Sequence, residues 1–550
     1  MTKRQLPELS APVGERGDQR ASAIKLHLAK RTCIAVLLSA AVCTSAAAQT
    51  FRTPLSFEET NGNQPFAQNE QPLARSAKFT TLVNFNGTNG GNPAGSLIQG
   101  RDGKLYGTAF DGGSNNNKIC LGGGCGTVFK ISARGTLTTL YNFCAETNCA
   151  DGANPAAPLL LGRDGNVYGI TEIGGANGSG TVFKITASGR LTTLYNWCSQ
   201  QSCADGAYVN FPETGSFVQA TDGNFYGTND TGGAAFVGTV FKLTPSGVLT
   251  TLYSFCSQTN CADGVYPTGL IQATDGNFYG TTQFGGTNRN GTVFRITPSG
   301  ELTTLYSFCS QTNCTDGAVP FGPLVQAIDG NFYGTTEAGG TSTNKLCGGF
   351  CGTVFKITAG GGLTTLYNFC SLANCTDGAS PAFSLVQATD GNYYGSTLGG
   401  NGNSQYGITV FRLIPEGSLT TLHTFDTVSQ GPDALFQATT GIFYGVTLEG
   451  GTSNNCGSLT CGVAFSLAAG LRQFVETVPT AGKIGSQVAI LGQGFKGATA
   501  VSFKGAAAKF TIHSDTYLTA TVPKGAATGF VTVTTSKRKL RSNQKFRVIP

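Results

Sequence analysis

Charge is scarce in this chain: Asp, Glu, Lys and Arg make up 12% of its 550 residues. Histidine is scarcer still, with three copies, and tryptophan occurs once. So little histidine argues against a multi-histidine metal site and against histidine-based acid–base catalysis. Long apolar runs are missing too, apart from "CIAVLLSAAVC" near the N-terminus, which is shorter than a bilayer-spanning helix needs. What abounds is glycine, with 78 copies, alongside much Thr, Asn, Phe and Tyr. That mixture fits many short strands joined by tight turns and leaves almost no helix to expect.

Residues 1–48 differ from the rest. A basic stretch ending in Lys30 and Arg31 precedes the apolar run, and Ala46-Ala47-Ala48 stands before Gln49. This is the pattern of a signal peptide cleaved near Ala48, so the mature protein is expected to be secreted or held at the cell surface. A retained membrane anchor is the alternative. Cys43 does not make a lipoprotein site, because Val42 before it is the wrong size for that cleavage. Residues 49–77, polar and without pattern, read as a flexible leader.

Loss of Cys33 and Cys43 with the signal leaves an even set of cysteines in an oxidising compartment. Five pairs share the spacing C-x4-C: Cys144 with Cys149, Cys198 with Cys203, Cys256 with Cys261, Cys309 with Cys314 and Cys370 with Cys375. Three more local pairs are Cys120 with Cys125, Cys347 with Cys351 and Cys456 with Cys461. Such small disulfide loops remove little chain entropy, so they read as staples of loop shape. Zinc is the rival reading, but structural zinc usually brings C-x2-C knuckles.

The sequence repeats. Aligned on the tyrosine of "FYG", it gives seven copies at Tyr106, Tyr168, Tyr226, Tyr279, Tyr333, Tyr394 and Tyr444. Each copy holds four strand-like runs, such as "TGLIQAT", "NFYGTTQ", "GTVFRIT" and "ELTTLYSF" around Tyr279. Asp275-Gly276 between the first two reads as a two-residue turn with positive φ at both corners, and Pro298-Ser299-Gly300 between the last two as another reversal. Seven four-stranded meanders predict a seven-bladed β-propeller, with a linear solenoid as competitor. "FTTLVNF" at Phe79 copies the fourth strand with no meander before it and is expected to complete the last blade; "LRQFVET" at Leu471 goes to the next domain. The two turn types then share one face of the disc, and the long cysteine-bearing loops share the other.

The order "P…LIQATDGNFYGTT…GTVFKITPSGELTTLYSF" over residues 78–470 resembles the GloVer (Gloeo/Verruco-type) tandem-repeat family of bacterial exported proteins. Its layout is also similar to NHL-type propeller repeats. The resemblance implies an exported propeller and brings no catalytic residues to carry over. Residues 471–550 change vocabulary: Pro479, Gly482, Gly485, Gly492, Gly494 and Phe495, then Pro523 and Gly529, resemble an IPT/TIG domain. That likeness implies a small immunoglobulin-like sandwich of the kind used as a spacer or binding module. The fold class expected is therefore all-β: a seven-bladed β-propeller followed by an immunoglobulin-like (IPT/TIG) β-sandwich.

Charge separates the two parts. Residues 471–550 hold twelve Lys/Arg against two Asp/Glu, whereas the propeller region is net acidic. The run "SKRKLRSNQK" at Ser536 reads as a solvated hairpin, with an anionic polysaccharide or lipid headgroup as the functional alternative. An exported chain is not expected to meet nucleic acid.

Nearly every carboxylate recurs at equivalent positions, whereas catalysis needs unlike groups placed once. Asp164, Asp222, Asp275, Asp329 and Asp390 are turn residues. Asp151, Asp205, Asp263, Asp316 and Asp377 follow the cysteine pairs; a loop-closing hydrogen bond is the first reading and calcium the second. No other cofactor is expected. His423 fills a tyrosine slot and reads as packing. Glu172, Asp230 and Glu337 break the symmetry, four positions after the repeat tyrosine where other copies place Phe110, Gln283, Leu398 and Leu448. They are the weak candidates for a glycosidase-like acid pair. Trp197, Tyr208, Phe236 and Tyr266 are the aromatics available to stack on sugars, with packing against the disulfide loops the first reading for any single one. The resulting expectation is a monomeric, non-catalytic exported protein that binds a surface glycan or protein, with a polysaccharide-acting enzyme and a structural spacer as alternatives.

Overall fold

The computed structural model describes residues 77–120, 123–207, 217–347, 351–399, 408–425, 434–456 and 460–549. The signal peptide and nearly all of the leader lie outside them, as does Tyr208. The described chain is built of strands and a few single-turn 3-10 segments.

The fourth repeat shows how the sequence makes a blade. Strands Val265–Gln272, Phe278–Phe284, Thr292–Ile296 and Leu302–Ser307 pair antiparallel in that order. The reversal at Asp275-Gly276 differs from the two-residue turn the dipeptide suggests. Gly276 N–H donates to Ala273 O, Ala273 N–H donates to Asn277 O, and Gly276 has positive φ, at +93°, while Asp275 does not. This is a three-residue loop with glycine in the left-handed position. Asp275 is used by its side chain instead: Oδ1 accepts from Asn277 N–H (3.0 Å), and Oδ2 from Asn277 Nδ2 (2.9 Å) and the Tyr279 hydroxyl (2.9 Å). The motif "DGNFYG" is thus one hydrogen-bonded unit that ties the turn to the repeat tyrosine. Between third and fourth strands a bulge falls at Val293/Phe294 and at the equivalent place in the other repeats, adding twist.

Seven such sheets are present among the described residues. Seven buried clusters each join two neighbours, and one of them joins the last sheet to the first through Tyr444, Val446, Leu97 and Phe129. The sheets therefore close into the ring of a β-propeller. Closure is made in the last sheet, where Lys78–Asn84 pairs antiparallel with Val463–Ala468. The segment after Leu471 takes no part in this sheet: Glu476–Val478 pairs with Gln487–Leu491 in the C-terminal domain. An aromatic pair recurs at every seam, the residue ending one blade's fourth strand meeting the third-strand phenylalanine of the next. Phe85–Phe129, Phe143–Phe183, Trp197–Phe241, Phe255–Phe294, Phe308–Phe355, Phe369–Phe411 and Phe425–Phe465 have centroids 5.0 to 5.8 Å apart.

The C-terminal domain is a sandwich of two sheets around Val488, Ile490, Phe495, Leu518, Val531 and Phe546. It sits on the propeller face that carries the Asp-Gly turns. Phe474 N–H donates to Thr439 O (3.0 Å), the Thr516 hydroxyl to Arg101 O (3.0 Å), Arg547 Nη1 to Thr274 O (2.7 Å) and Lys545 Nζ to Ile328 O (3.2 Å). A basic domain thus meets a face ringed by turn aspartates, which favours docking electrostatically. Within the hairpin, Ser536–Lys539 is exposed, and Arg541 packs over the Phe530 ring at 3.4 Å.

The first strand of the sandwich closes this end of the propeller axis. Glu476 and its neighbours line a cavity of about 240 Å³ with Ile98, Leu160, Val218 and Phe436 of four first strands. Burial there pushes the Glu476 carboxyl up to about 7. A carboxyl raised in the folded state favours folding while protonated, and that advantage fades as pH rises through its folded value. That loss begins above the ordinary value of 4.5, so Glu476→Gln is expected to leave Tm nearly unchanged at pH 4 and to raise it at pH 8. A Tm difference from the parent that is the same at both pH values would contradict this.

Candidate functional site

The cysteine loops crowd the face opposite the sandwich. In each five-membered set, a 3-10 turn lies between the two cysteines, and both cysteines and the residue before the second have positive φ; for Cys256, Asn260 and Cys261 the values are +60°, +58° and +53°. Such a backbone is costly for non-glycine residues and needs external support. The disulfides supply part of it, and all eight sequence-paired bridges are present, from Cys120–Cys125 through Cys456–Cys461.

The aspartate after each pair supplies the rest. Asp263 is fully buried; its Oδ2 accepts from the Tyr253 hydroxyl (2.9 Å), Ser257 N–H (2.9 Å) and the Ser257 hydroxyl (3.1 Å), and its Oδ1 from Gln258 N–H (3.3 Å). Asp151, Asp205, Asp316 and Asp377 are fully buried and repeat the tyrosine and backbone contacts with Tyr141, Tyr195, Tyr306 and Tyr367. These contacts are those of the loop-closing reading, with N–H and O–H hydrogens pointing at the oxygens a cation would have to share. Two sulfur groups, Cys120/Cys125/Cys144 and Cys347/Cys351/Cys370, bring thiol-bearing residues within 4.8 Å of one another, but every one of these sulfurs is already spent in a disulfide.

The aromatic candidates separate. Trp197 is 1% exposed and fills the phenylalanine slot of the blade seam, edge-on to Phe241, so it is a core residue and cannot stack on a ligand. Tyr266 is half-buried near the start of strand Val265–Gln272, with its ring edge-on to Phe284 at 6.3 Å. Phe236 is 58% exposed at the tip of a second-to-third-strand loop, held there at φ +57°. Ile119 and Leu372 are further exposed apolar residues on loops of this face. His423 stacks flat on Phe79, 4.0 Å between centroids, in the seam between the sixth blade and the last.

Of the symmetry-breaking acids, two come together. Glu172 ends its blade's second strand at 9% exposure, and Asp230 follows the equivalent strand of the next blade at 3%. Burial first, then the charges of Asp230 and Asp111, push Glu172 up to about 7. Asp111, at the end of strand Leu105–Asp111, is itself pushed to about 7 by burial, and its Oδ1 accepts from Asn154 Nδ2 at 3.3 Å. Glu337 lies two blades beyond Asp230, and its charge is not among those that act on Glu172. Asp111 escaped the sequence reading because it stands one position past the slot that was compared between copies. A carboxyl that holds its proton near neutrality beside other carboxylates can donate or accept a proton, but Glu172 and Asp230 are buried and Asp111 is half-buried.

The model of the Gloeobacter/Verrucomicrobia repeat matches residues 72–215 and 212–460. The chain belongs to this repeat family. The IPT/TIG domain model matches residues 474–547. No curated protein matches the chain. Among solved structures, this repeat protein is similar to a fungal alcohol oxidase of the AA5 family in complex with copper, at 12% identity over 86% of this chain and 100% of that one, with a TM-score of 0.47. It is also similar to the periplasmic gluconolactonase of Pseudomonas aeruginosa, at 18% identity over 61% and 86% with a TM-score of 0.39. A third is the PQQ-bound aldose sugar dehydrogenase of Streptomyces coelicolor, at 12% over 72% and 100% with a TM-score of 0.35. Likeness at this level carries no argument about activity. Disulfides together with a TIG domain fit an extracellular protein, and among the described residues no helix is long and apolar enough to cross a membrane.

The buried aspartate is the element of the loop most open to test. Asp263→Asn keeps the shape but turns an amide NH2 donor toward an N–H that the carboxylate oxygen accepted from, leaving a buried donor unmatched at a cost of about 1–3 kcal/mol. The variant is expected to lower Tm and to speed amide exchange across Cys256–Gly264 with the disulfide intact. Exchange and Tm equal to the parent would show that the disulfide alone holds the loop.

Proposed function

We propose that this is an exported, non-catalytic binding protein of the bacterial surface, which recognises a surface glycan or a protein with the loop face of its propeller. The observation that carries this reading is the five-fold recurrence of one rigid loop, each with the same disulfide, buried aspartate and tyrosine. Rigid, similar loops side by side favour repetitive contact with an extended partner, and they lose little entropy on binding. Exposed Phe236, Leu372 and Ile119 add apolar contact area to the same face. None of this requires a cofactor.

The second reading is a glycan-acting enzyme, and it rests on the raised carboxyls of Glu172 and Asp111 beside Asp230. One experiment separates them. The oxidised mature protein is applied to a glycan array, and the glycans are then analysed for cleavage. Specific retention with glycans unchanged, lost when Phe236 and Leu372 are replaced by serine, is the expected result. Turnover abolished by Glu172→Gln or Asp230→Asn would overturn the non-catalytic reading, and no retention of any glycan would move recognition to protein partners.

A further inference from the structure

The propeller face under the sandwich has its own broken symmetry. The residue before the turn aspartate is Thr221, Thr274, Ile328 and Thr389 in the third to sixth blades, and Thr439 holds the same slot before Thr440 in the seventh, whereas the first two place Arg101 and Arg163 there. The two arginines are held by the blades that follow them. Arg101 donates from its terminal nitrogens to Arg163 O and Asp164 O, and Arg163 donates from Nη2 to Ala220 O (2.7 Å) and from Nη1 to Thr221 O (3.4 Å). The Arg101 guanidinium also lies over the Tyr517 ring of the sandwich at 4.8 Å. Each guanidinium is therefore fixed in place while one hydrogen on each terminal nitrogen stays uncommitted.

Among the described residues neither arginine makes an ion pair: those within 4 Å are Lys242–Asp222 and Lys356–Asp329. Asp222 acts on Arg163 through space, yet its own contact is with Lys242 at 3.6 Å. Both arginines line a cavity of about 440 Å³ between the propeller and the sandwich, and Lys483 enters it from the sandwich side. Ser486, Gln487 and Thr519 add neutral polar groups, and among the described residues no Asp or Glu lines the cavity. Burial lowers the Arg163 pKa, so holding its charge here is unfavourable without a counter-charge.

We propose that this interdomain cavity is a binding site for a small oxyanion-bearing ligand, whose carboxylate or phosphate is gripped by Arg101, Arg163 and Lys483. Two pre-positioned guanidinium groups suit a planar or tetrahedral oxyanion, and the volume accommodates a sugar-sized molecule. Acidic sugars and phosphorylated metabolites share this chemistry. The site lies on the opposite face from the cysteine loops, so it stands or falls independently of the function proposed above.

The test is titration calorimetry of the full mature protein with glucuronate, inorganic phosphate and glucose, each at ionic strength matched with sodium chloride. Saturable binding of glucuronate or phosphate, absent with glucose, is the expected result, with at least a ten-fold loss of affinity in Arg163→Gln and in Lys483→Ala. Glucuronate alone would identify an acidic sugar as the ligand class, and phosphate binding the phosphate class. Lys483 is exposed, so Lys483→Ala remains informative should Arg163→Gln fold poorly. The proposal is overturned if neither anion binds beyond chloride, or if affinity survives unchanged in Lys483→Ala.

Discussion

The aromatic pair at each blade seam, edge-on in six and tilted in the seventh, is the contact on which the rest of the molecule depends. A four-stranded sheet with both faces apolar has nowhere to go alone; it becomes stable only when a neighbour covers each face. The seam residue does this with a ring buried between two sheets, as Phe308 is against Phe355. Beside it, the repeat tyrosine lays its ring on the next blade, as Tyr279 does on Phe332 at 4.1 Å, while its hydroxyl holds the Asp275 turn. One side chain therefore serves two levels at once, shaping its own hairpin and gluing its blade to the next. Because each blade needs two neighbours, the row of sheets has no stable end, and the strand at Phe79 removes the end by joining the last sheet.

With the scaffold fixed by symmetry, the two faces diverge. On one, the long loops repeat a single solution: positive-φ cysteines, a disulfide and a buried aspartate that satisfies backbone N–H groups. On the other, the short turns are flat enough for a basic sandwich to sit on them, and its first strand seals the axis with Glu476. Departures from the repeat concentrate where chemistry is possible. Glu172 and Asp230 break the second strands on the loop face, and Arg101 and Arg163 break the first turns under the sandwich.

Much of this was legible in the sequence because repetition amplifies weak signals. A lone "FYG" says little, whereas seven copies at similar spacing fix the strand order and the pairing of the orphan strand. The aspartates after the cysteines were legible as loop closers, since an Asp six residues past the first loop N–H can reach back to it. The turn type was misread because Asp-Gly suggests a two-residue loop, while the side chain of Asp275 prefers to bond Asn277 and Tyr279 from a three-residue one. Trp197 was a stacking candidate because it precedes a cysteine loop; aligned with Phe255 and Phe308, it occupies the seam. Arg101 and Arg163 were hidden for a different reason. They read as turn residues, and only the docking of a domain hundreds of residues away turns that face into a cavity.

The most direct test of the closed ring is hydrogen exchange, read by mass spectrometry, on the strand that makes the closure. If Lys78–Asn84 completes the last blade, its amides are protected as strongly as those of Leu302–Ser307 and open together with Val463–Ala468 under rising denaturant. Rapid exchange of Lys78–Asn84 while Val463–Ala468 stays protected would mean an open row of sheets and would contradict the account.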